Sequence, residues 1–129
     1  MTLKQTFNKY FNSHSETSDN HWDPNLKTHY FKTTQEKGMQ AVEALFTNAK
    51  EFEIVASSKD HGEISVIYKG GRKAFVTATI IMVRPYRTAI DLSVTLESAF
   101  PPDFGYSHKL IPKLYKILQK ELTLLDRTS

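Results

Sequence analysis

Three segments within residues 52–96 alternate between apolar and other side chains with a period of two, and this alternation constrains the fold more than any other feature. The segment from Lys73 to Arg84 is predicted as a long strand that is apolar on both faces. Successive side chains of a strand point to opposite faces of a sheet, so the pattern predicts a run of strands with one buried face. Gly70-Gly71 interrupts the run as a two-residue turn, which predicts hairpins and therefore antiparallel pairing. The alternating apolar residues are Phe52, Ile54, Ala56, Ile64, Val66, Tyr68, Ile90, Leu92, Val94 and Leu96.

Helical spacing of apolar residues appears on both sides of this region. It predicts a helix from about Thr34 to Asn48, with Thr33 and Glu36 as a capping box at its start. It also predicts a closing helix whose core face carries Leu110, Leu114, Ile117, Leu118, Leu122 and Leu125. Pro112 has no N–H to donate, so it either kinks that closing helix or starts it.

Two further elements precede the first long helix. Apolar residues after Thr2 predict a short helix over 2–12, and Lys27 to Lys32 is a first strand. We therefore predict an α+β fold: a five-stranded antiparallel sheet in β-α-β-β-β-β-α order, with the helices on one face and a short N-terminal helix before it. The 129 residues suit a single domain. Residues 1–26 form its N-terminal helix and polar loop, and residues 27–129 form its α+β body.

Turn lengths predict which side chains share a face. A two-residue turn at Gly70-Gly71 sets Val66 opposite Phe75, and one at Pro85-Tyr86 sets Ile81 opposite Ile90. An odd-numbered second loop would flip the last strand. With even loops, the face away from the helices carries Ser65, Ile67, Val76, Ala78, Ile80, Met82, Asp91 and Ser93.

This second face is too apolar for a freely solvated sheet, so we predict that something covers it. The alternatives are another part of the chain, a second subunit, or a small apolar ligand. Asp91 lies between Ile90 and Leu92 and is the best single polar candidate, with a cross-strand ion pair as its structural alternative.

Four lysines form a stripe on one side of the closing helix. Their spacing is close to whole helical turns, which is typical of the solvated side of an amphipathic helix. The alternative is weak, sequence-independent binding of nucleic acid, although no arginine or aromatic residue accompanies them for base recognition. The stripe consists of Lys109, Lys113, Lys116 and Lys120.

No motif carries recognisable chemistry. Cysteine is absent, which excludes disulfides and thiolate chemistry, and the five histidines lack the spacing of metal ligands. We therefore expect no enzyme activity, no cofactor and no metal. The absence of a long apolar run predicts no membrane span, and the absence of an apolar N-terminal stretch favours a cytoplasmic location.

The order of elements resembles the TATA-binding-protein-like and helix-grip layouts. The stretch from Tyr30-Phe31-Lys32-Thr33-Thr34 through Ala44-Leu45-Phe46 resembles small uncharacterised cytosolic proteins of Bacillus-type bacteria. The helix-grip resemblance implies an apolar ligand between sheet and helix, anchored by Asp91 or Ser93. The second resemblance implies a bacterial origin and does not point to any particular activity.

Three hypotheses follow. The leading one is a non-enzymatic cytoplasmic domain that acts through protein contacts, as a homodimer joined by the second face. The second is a small-molecule binding module of helix-grip type. The third is weak nucleic-acid binding through the lysine stripe.

Overall fold

The computed structural model describes residues 14–19, 21, 23, 26–96 and 106–126. Within them the strands are β1 His14–Glu16, β2 His29–Phe31, β3 Phe52–Ser58, β4 Glu63–Tyr68, β5 Ala74–Arg84, β6 Arg87–Leu96 and β7 Leu124–Asp126. The helices in this part of the chain are α1 Gln35–Asn48, between β2 and β3, and α2 Tyr106–Glu121, between β6 and β7. The predicted N-terminal helix over 2–12 lies outside the described residues.

The strands form one antiparallel sheet in the order β3-β4-β5-β6-β2-β7, and β1 pairs with β6 as well. The prediction of an α+β fold with an antiparallel sheet is confirmed, but the described part of the chain forms seven strands in this sheet where five were predicted. The two additional strands, β1 and β7, have three residues each, which is too short for a period of two to be visible. β1 pairs with β6, and β7 pairs with β2 at the end of the strand order.

The register between β4 and β5 differs from the prediction by one residue. Val66 lies opposite Val76, and Tyr68 lies opposite Ala74. The connection is therefore the five residues 69–73 instead of the two glycines. Because side chains alternate, a shift of one residue turns β5 over relative to β4.

The turn between β5 and β6 is the predicted two-residue loop, since Arg84 lies opposite Arg87. Tyr86 in that turn has a positive φ of 58°. A bulge between Met82 and Arg84 then shifts the register, so that Ile80, not Ile81, lies opposite Ile90. An extra residue in one strand changes which side chains share a face.

Both shifts have the same consequence: β5 is turned over, while β4 and β6 keep their predicted faces. Val76, Ala78 and Ile80 are fully buried in the hydrophobic core beneath the helices. The prediction that they lie on the second face is wrong. The residues of β5 predict its orientation better than the turn lengths do. Thr77 and Thr79 alternate with these three residues, and a hydroxyl is costly to bury, so the threonines belong on the solvent side.

Helix α1 begins after Thr34, whose side-chain oxygen accepts a hydrogen bond from the Lys37 amide at 3.2 Å. Thr34, not the predicted Thr33, is therefore the capping residue. The Thr33 carbonyl instead accepts a 2.7 Å hydrogen bond from the buried Thr88 hydroxyl. Gly38 lets the helix approach β5, since a methyl group there would lie 3.0 Å from Ile80 Cγ2.

Helix α2 contains Pro112 in its interior, so the proline does not start it. Leu110, Leu114 and Leu118 are buried in the core, as the leucine pattern predicted. Leu125 is an exception, because it follows the helix in β7 and is 42% exposed. Neither helix, over the residues that are described, is long and apolar enough to cross a membrane.

Candidate functional site

The eight residues predicted to form one binding face are divided between two faces. Alternation from the paired registers puts Val76, Ala78, Ile80 and Met82 on the helix side, and Ser65, Ile67, Asp91 and Ser93 on the other. The first three of these residues occupy the space between sheet and helices. That space is where the helix-grip resemblance implied a ligand.

The observed second face is more polar than predicted. Its central row runs across Ser65, Thr77 and Ser93, and the hydroxyls of the first two are 3.3 Å apart. Ile67 and the half-exposed Phe75 lie opposite each other as an apolar pair in the neighbouring row. Such a mixed face is typical of a sheet that meets solvent. The composition of this face therefore gives no reason to expect that another segment, a second subunit or a ligand covers it.

Asp91 is held by two hydroxyl groups on the segment that connects β1 to β2. Thr17 Oγ1 and Thr28 Oγ1 both donate to Asp91 Oδ1, at 2.6 and 2.5 Å. The Thr17 hydroxyl also accepts a hydrogen bond from the Leu92 amide at 3.0 Å. Both threonines are buried. The carboxylate therefore anchors both ends of the connecting segment to β6.

Tyr115 of α2 lies beneath the same anchor. Its buried hydroxyl donates to the Ile90 carbonyl at 2.5 Å and lies 3.3 Å from Thr17 Oγ1. Burial raises the pKa of Tyr115, so the phenol remains protonated and acts as a hydrogen-bond donor. The buried His29 ring is stacked on it, and His29 Nδ1 lies 2.9 Å from the Lys27 carbonyl. These contacts fasten α2 to the sheet.

A second polar pair involves Tyr30 on β2. Its hydroxyl donates to Asp19 Oδ1 at 2.6 Å, and the Arg87 guanidinium lies 4.3 Å from the centre of its ring. Burial, followed by the hydrogen bond to Asp19, raises the pKa of Tyr30 to about 12. The group is therefore a hydrogen-bond donor over the whole physiological pH range.

The connecting segment also carries His21 and Asp23. The Asp23 amide donates to His21 Nδ1 at 3.0 Å, and burial lowers the pKa of His21. Across the described ranges, no group of three or more histidine, aspartate or glutamate side chains is placed to hold a metal ion.

The lysine stripe occupies the solvent side of α2. Lys109, Lys113, Lys116 and Lys120 are all exposed. Their positions agree with the solvated face of an amphipathic helix, as the spacing predicted. Binding of nucleic acid by this stripe stays a prediction.

A groove of about 610 Å³ runs along the outer side of α1. Met39 is the buried residue in its lining, and the other lining residues are polar or small: Gln35, Glu36, Gln40, Glu43, Ala44, Thr47, Asn48 and Lys59. The volume lies within the usual range for small-molecule sites.

The most unusual surface is the end of the β5–β6 hairpin, which projects beyond β4. It exposes Ile81 by 49%, Met82 by 41%, Val83 by 49% and Tyr86 by 61%. We call these four residues the hairpin end. Ile81 lies on the second face, Met82 on the helix side, and Val83 at the bulge, so the hairpin end is apolar on both faces. The sequence offered one signal for it: the apolar run 80–83 ends just before the turn, separated from Pro85-Tyr86 by Arg84 alone.

Comparison with models of protein families and with curated proteins yields no match for this chain.

Proposed function

We propose that this chain is a non-enzymatic binding domain whose contact surface is the hairpin end. The observation that carries the proposal is the exposure of four neighbouring large apolar side chains, each between 41% and 61%. Contiguous exposed apolar residues with charged neighbours mark interaction sites more often than isolated ones do. Arg84 and Arg87 are such neighbours.

The contacts of Asp91 and Tyr115 favour a structural role over a catalytic one. The Asp91 oxygen that accepts from Thr17 and Thr28 is engaged within the fold, and the Tyr115 hydroxyl is committed to the Ile90 carbonyl. A general acid or base has to reach a substrate, whereas Asp91 is bound to threonine hydroxyls and Tyr115 to a backbone carbonyl inside the fold. We assign them the task of holding the β1–β2 connection and α2 against β6.

In this proposal the hairpin end, instead of the second sheet face of the homodimer hypothesis, is the contact surface. That hypothesis depended on Val76, Ala78 and Ile80 facing outward, and these side chains lie in the core. Self-association, a cytoplasmic location and a bacterial origin stay predictions.

A photo-cross-linking residue tests the proposal. Benzoylphenylalanine is larger than tyrosine, but Tyr86 is 61% exposed and leaves room for it. The same residue in place of Val55, 45% exposed on β3, is the control. After irradiation in cells, we expect adducts at position 86 that are absent at position 55. Equal labelling at the two positions, or no adduct at either, contradicts the proposal.

The groove along α1 favours a second candidate function, a small-molecule binding module. Its walls offer carboxylates and amides above the Met39 side chain, which suits a polar or cationic ligand with a small apolar part. Ala44→Trp would fill the groove from an exposed position. Mass spectrometry of denatured protein should then show a co-purified small molecule in the wild type and not in the variant. If neither protein carries one, this candidate loses its support.

A further inference from the structure

The hairpin end has the shape of a wedge. Ile80 marks the last point at which β5 belongs to the body: it is fully buried, and its amide donates to the Gly62 carbonyl at 2.6 Å. All residues from 81 to 86 are exposed. A flat interface would need apolar side chains on one face, whereas this end presents them on both faces and at the turn.

Positive charge accompanies the apolar side chains. Arg84 is exposed next to Val83 of the hairpin end, and Arg87 is the first residue of β6. Lys32 is exposed directly after Phe31, which pairs with Thr88 of the same hairpin. Between positions 80 and 90 the charged residues are Arg84 and Arg87. The carboxylates nearest in sequence to these arginines and to Lys32 are Asp91, which accepts hydrogen bonds from Thr17 and Thr28, and Glu36, in the first turn of α1. The stretch from 80 to 90 therefore carries positive charge and contains no carboxylate of its own.

A second copy of the chain fits this surface poorly. The edge of β5 is already occupied, because the Met82 amide lies 3.4 Å from Gln35 Oε1 and that side chain blocks further strand pairing. Two hairpin ends brought together would also oppose Arg84 with Arg84. Like charges directly opposite each other are destabilising.

A large protein interface also fits poorly. A stable one takes roughly 800 Å² from each partner, or about 20–30 residues. The hairpin end consists of four apolar residues surrounded by Arg84, Arg87 and Gln35. A few apolar side chains with adjacent cations are sufficient for a lipid interface, where the hydrocarbon surrounds the wedge and anionic headgroups attract the arginines.

We infer that the hairpin end inserts into an anionic lipid surface, with Ile81, Met82 and Val83 in the acyl boundary. Tyr86 lies at headgroup level, where tyrosine is enriched because its ring is apolar and its hydroxyl is polar. Arg84, which is exposed, contacts the lipid phosphates or carboxylates, while Arg87 stays over the Tyr30 ring. This inference rests on the proposed function, because it names the partner of the same surface.

Co-sedimentation with vesicles tests it, using phosphatidylcholine alone and phosphatidylcholine mixed with phosphatidylserine. We expect the full chain to bind the anionic vesicles and not the neutral ones. The double variant Ile81→Ser/Val83→Ser should weaken binding by about tenfold or more, since two exposed aliphatic side chains leave the acyl boundary. Val55→Ser is the matched control, because it removes an equally exposed aliphatic side chain from β3 and should bind as the wild type does.

Charge variants separate this surface from the lysine stripe. Arg84→Glu should weaken binding by about fivefold or more, because one basic residue near an anionic membrane contributes about that factor. Lys113→Glu, on α2, should leave it unchanged. Absence of binding to phosphatidylserine vesicles, equal binding by the double variant, or a loss confined to Lys113→Glu would overturn the inference. A protein adduct at position 86 in the cross-linking experiment, together with no vesicle binding, would overturn the lipid partner and retain the binding domain.

Discussion

The ring of His29 lies parallel to the ring of Tyr115, with their centroids 3.5 Å apart and their planes within 4°. His29 belongs to β2 and Tyr115 to α2, so the stack connects the sheet to the closing helix. The hydroxyl of the same tyrosine reaches the Ile90 carbonyl on β6. Helix α2 is therefore fastened to two neighbouring strands by one side chain, in addition to its leucine face.

The first prediction concerns that hydroxyl. Tyr115→Phe keeps the ring stack but leaves a buried carbonyl without this donor, which should lower the free energy of unfolding by about 1–3 kcal/mol. The urea midpoint of unfolding measures the effect. Tyr86→Phe removes a hydroxyl from a side chain that is 61% exposed and should change stability by less than about 0.5 kcal/mol. Equal midpoints for the two variants would refute the role given to the Tyr115 hydroxyl.

Two neighbouring isoleucines test the register of β5. Ile80 is fully buried and Ile81 is 49% exposed. Ile80→Glu should destabilise the fold by at least about 4 kcal/mol, because an unpaired carboxylate would enter the core. Ile81→Glu should stay within about 0.5 kcal/mol of the wild type. Thermal unfolding followed by circular dichroism distinguishes them, and the reverse order would restore the register predicted from turn lengths.

The anchor at Asp91 leads to the third prediction. Asp91→Ala removes the acceptor of two buried threonine hydroxyls, so we expect a loss of about 2–4 kcal/mol in unfolding free energy. Asp91→Asn retains a side-chain oxygen and should lose less. Hydrogen exchange at the Leu92 amide should accelerate in Asp91→Ala, because that amide donates to Thr17. Asp60→Ala, in an exposed turn, is the control and should leave exchange unchanged.

The fourth prediction is a pH dependence. The fold raises the pKa of Tyr30 from 10.0 to about 12, so the folded chain binds this proton more tightly than the unfolded chain does. The contribution to stability is fully present below pH 10 and is lost as the pH rises towards 12. Tyr30→Phe should be less stable than the wild type at pH 8, because the bond to Asp19 is gone, yet should decline less steeply above pH 10. Denaturant unfolding across this interval measures both slopes, and parallel slopes would contradict the assignment.

The residues themselves predicted most of the architecture. Period two identified β3, β4 and β6, helical spacing identified α1 and the buried leucines of α2, and Pro85-Tyr86 marked a two-residue turn. These features are local: each depends on side chains within a few positions of one another. That is why the sequence alone was enough to find them.

The face of β5 was decided by tertiary structure. The five-residue connection between β4 and β5 and the bulge in β5 each shift the strand register by one residue. Neither is marked in the sequence as clearly as a two-residue turn is marked by Gly70-Gly71. Together they turn Val76, Ala78 and Ile80 into the core and leave Thr77 and Thr79 outside. The candidate surface changed with them, from a broad sheet face to the hairpin end.

The same division applies to the polar contacts. Asp91 was visible as an isolated carboxylate in an apolar strand, but Thr17 and Thr28 are 74 and 63 positions away from it. The rings of Tyr115 and His29 stack only because α2 packs against strands that come much earlier in the sequence. The sequence determined which segments become strands and helices, because that depends on neighbours along the chain. Register, partners and the exposed end were decided by packing, because a one-residue shift leaves local preferences unchanged and exchanges every side chain between core and solvent.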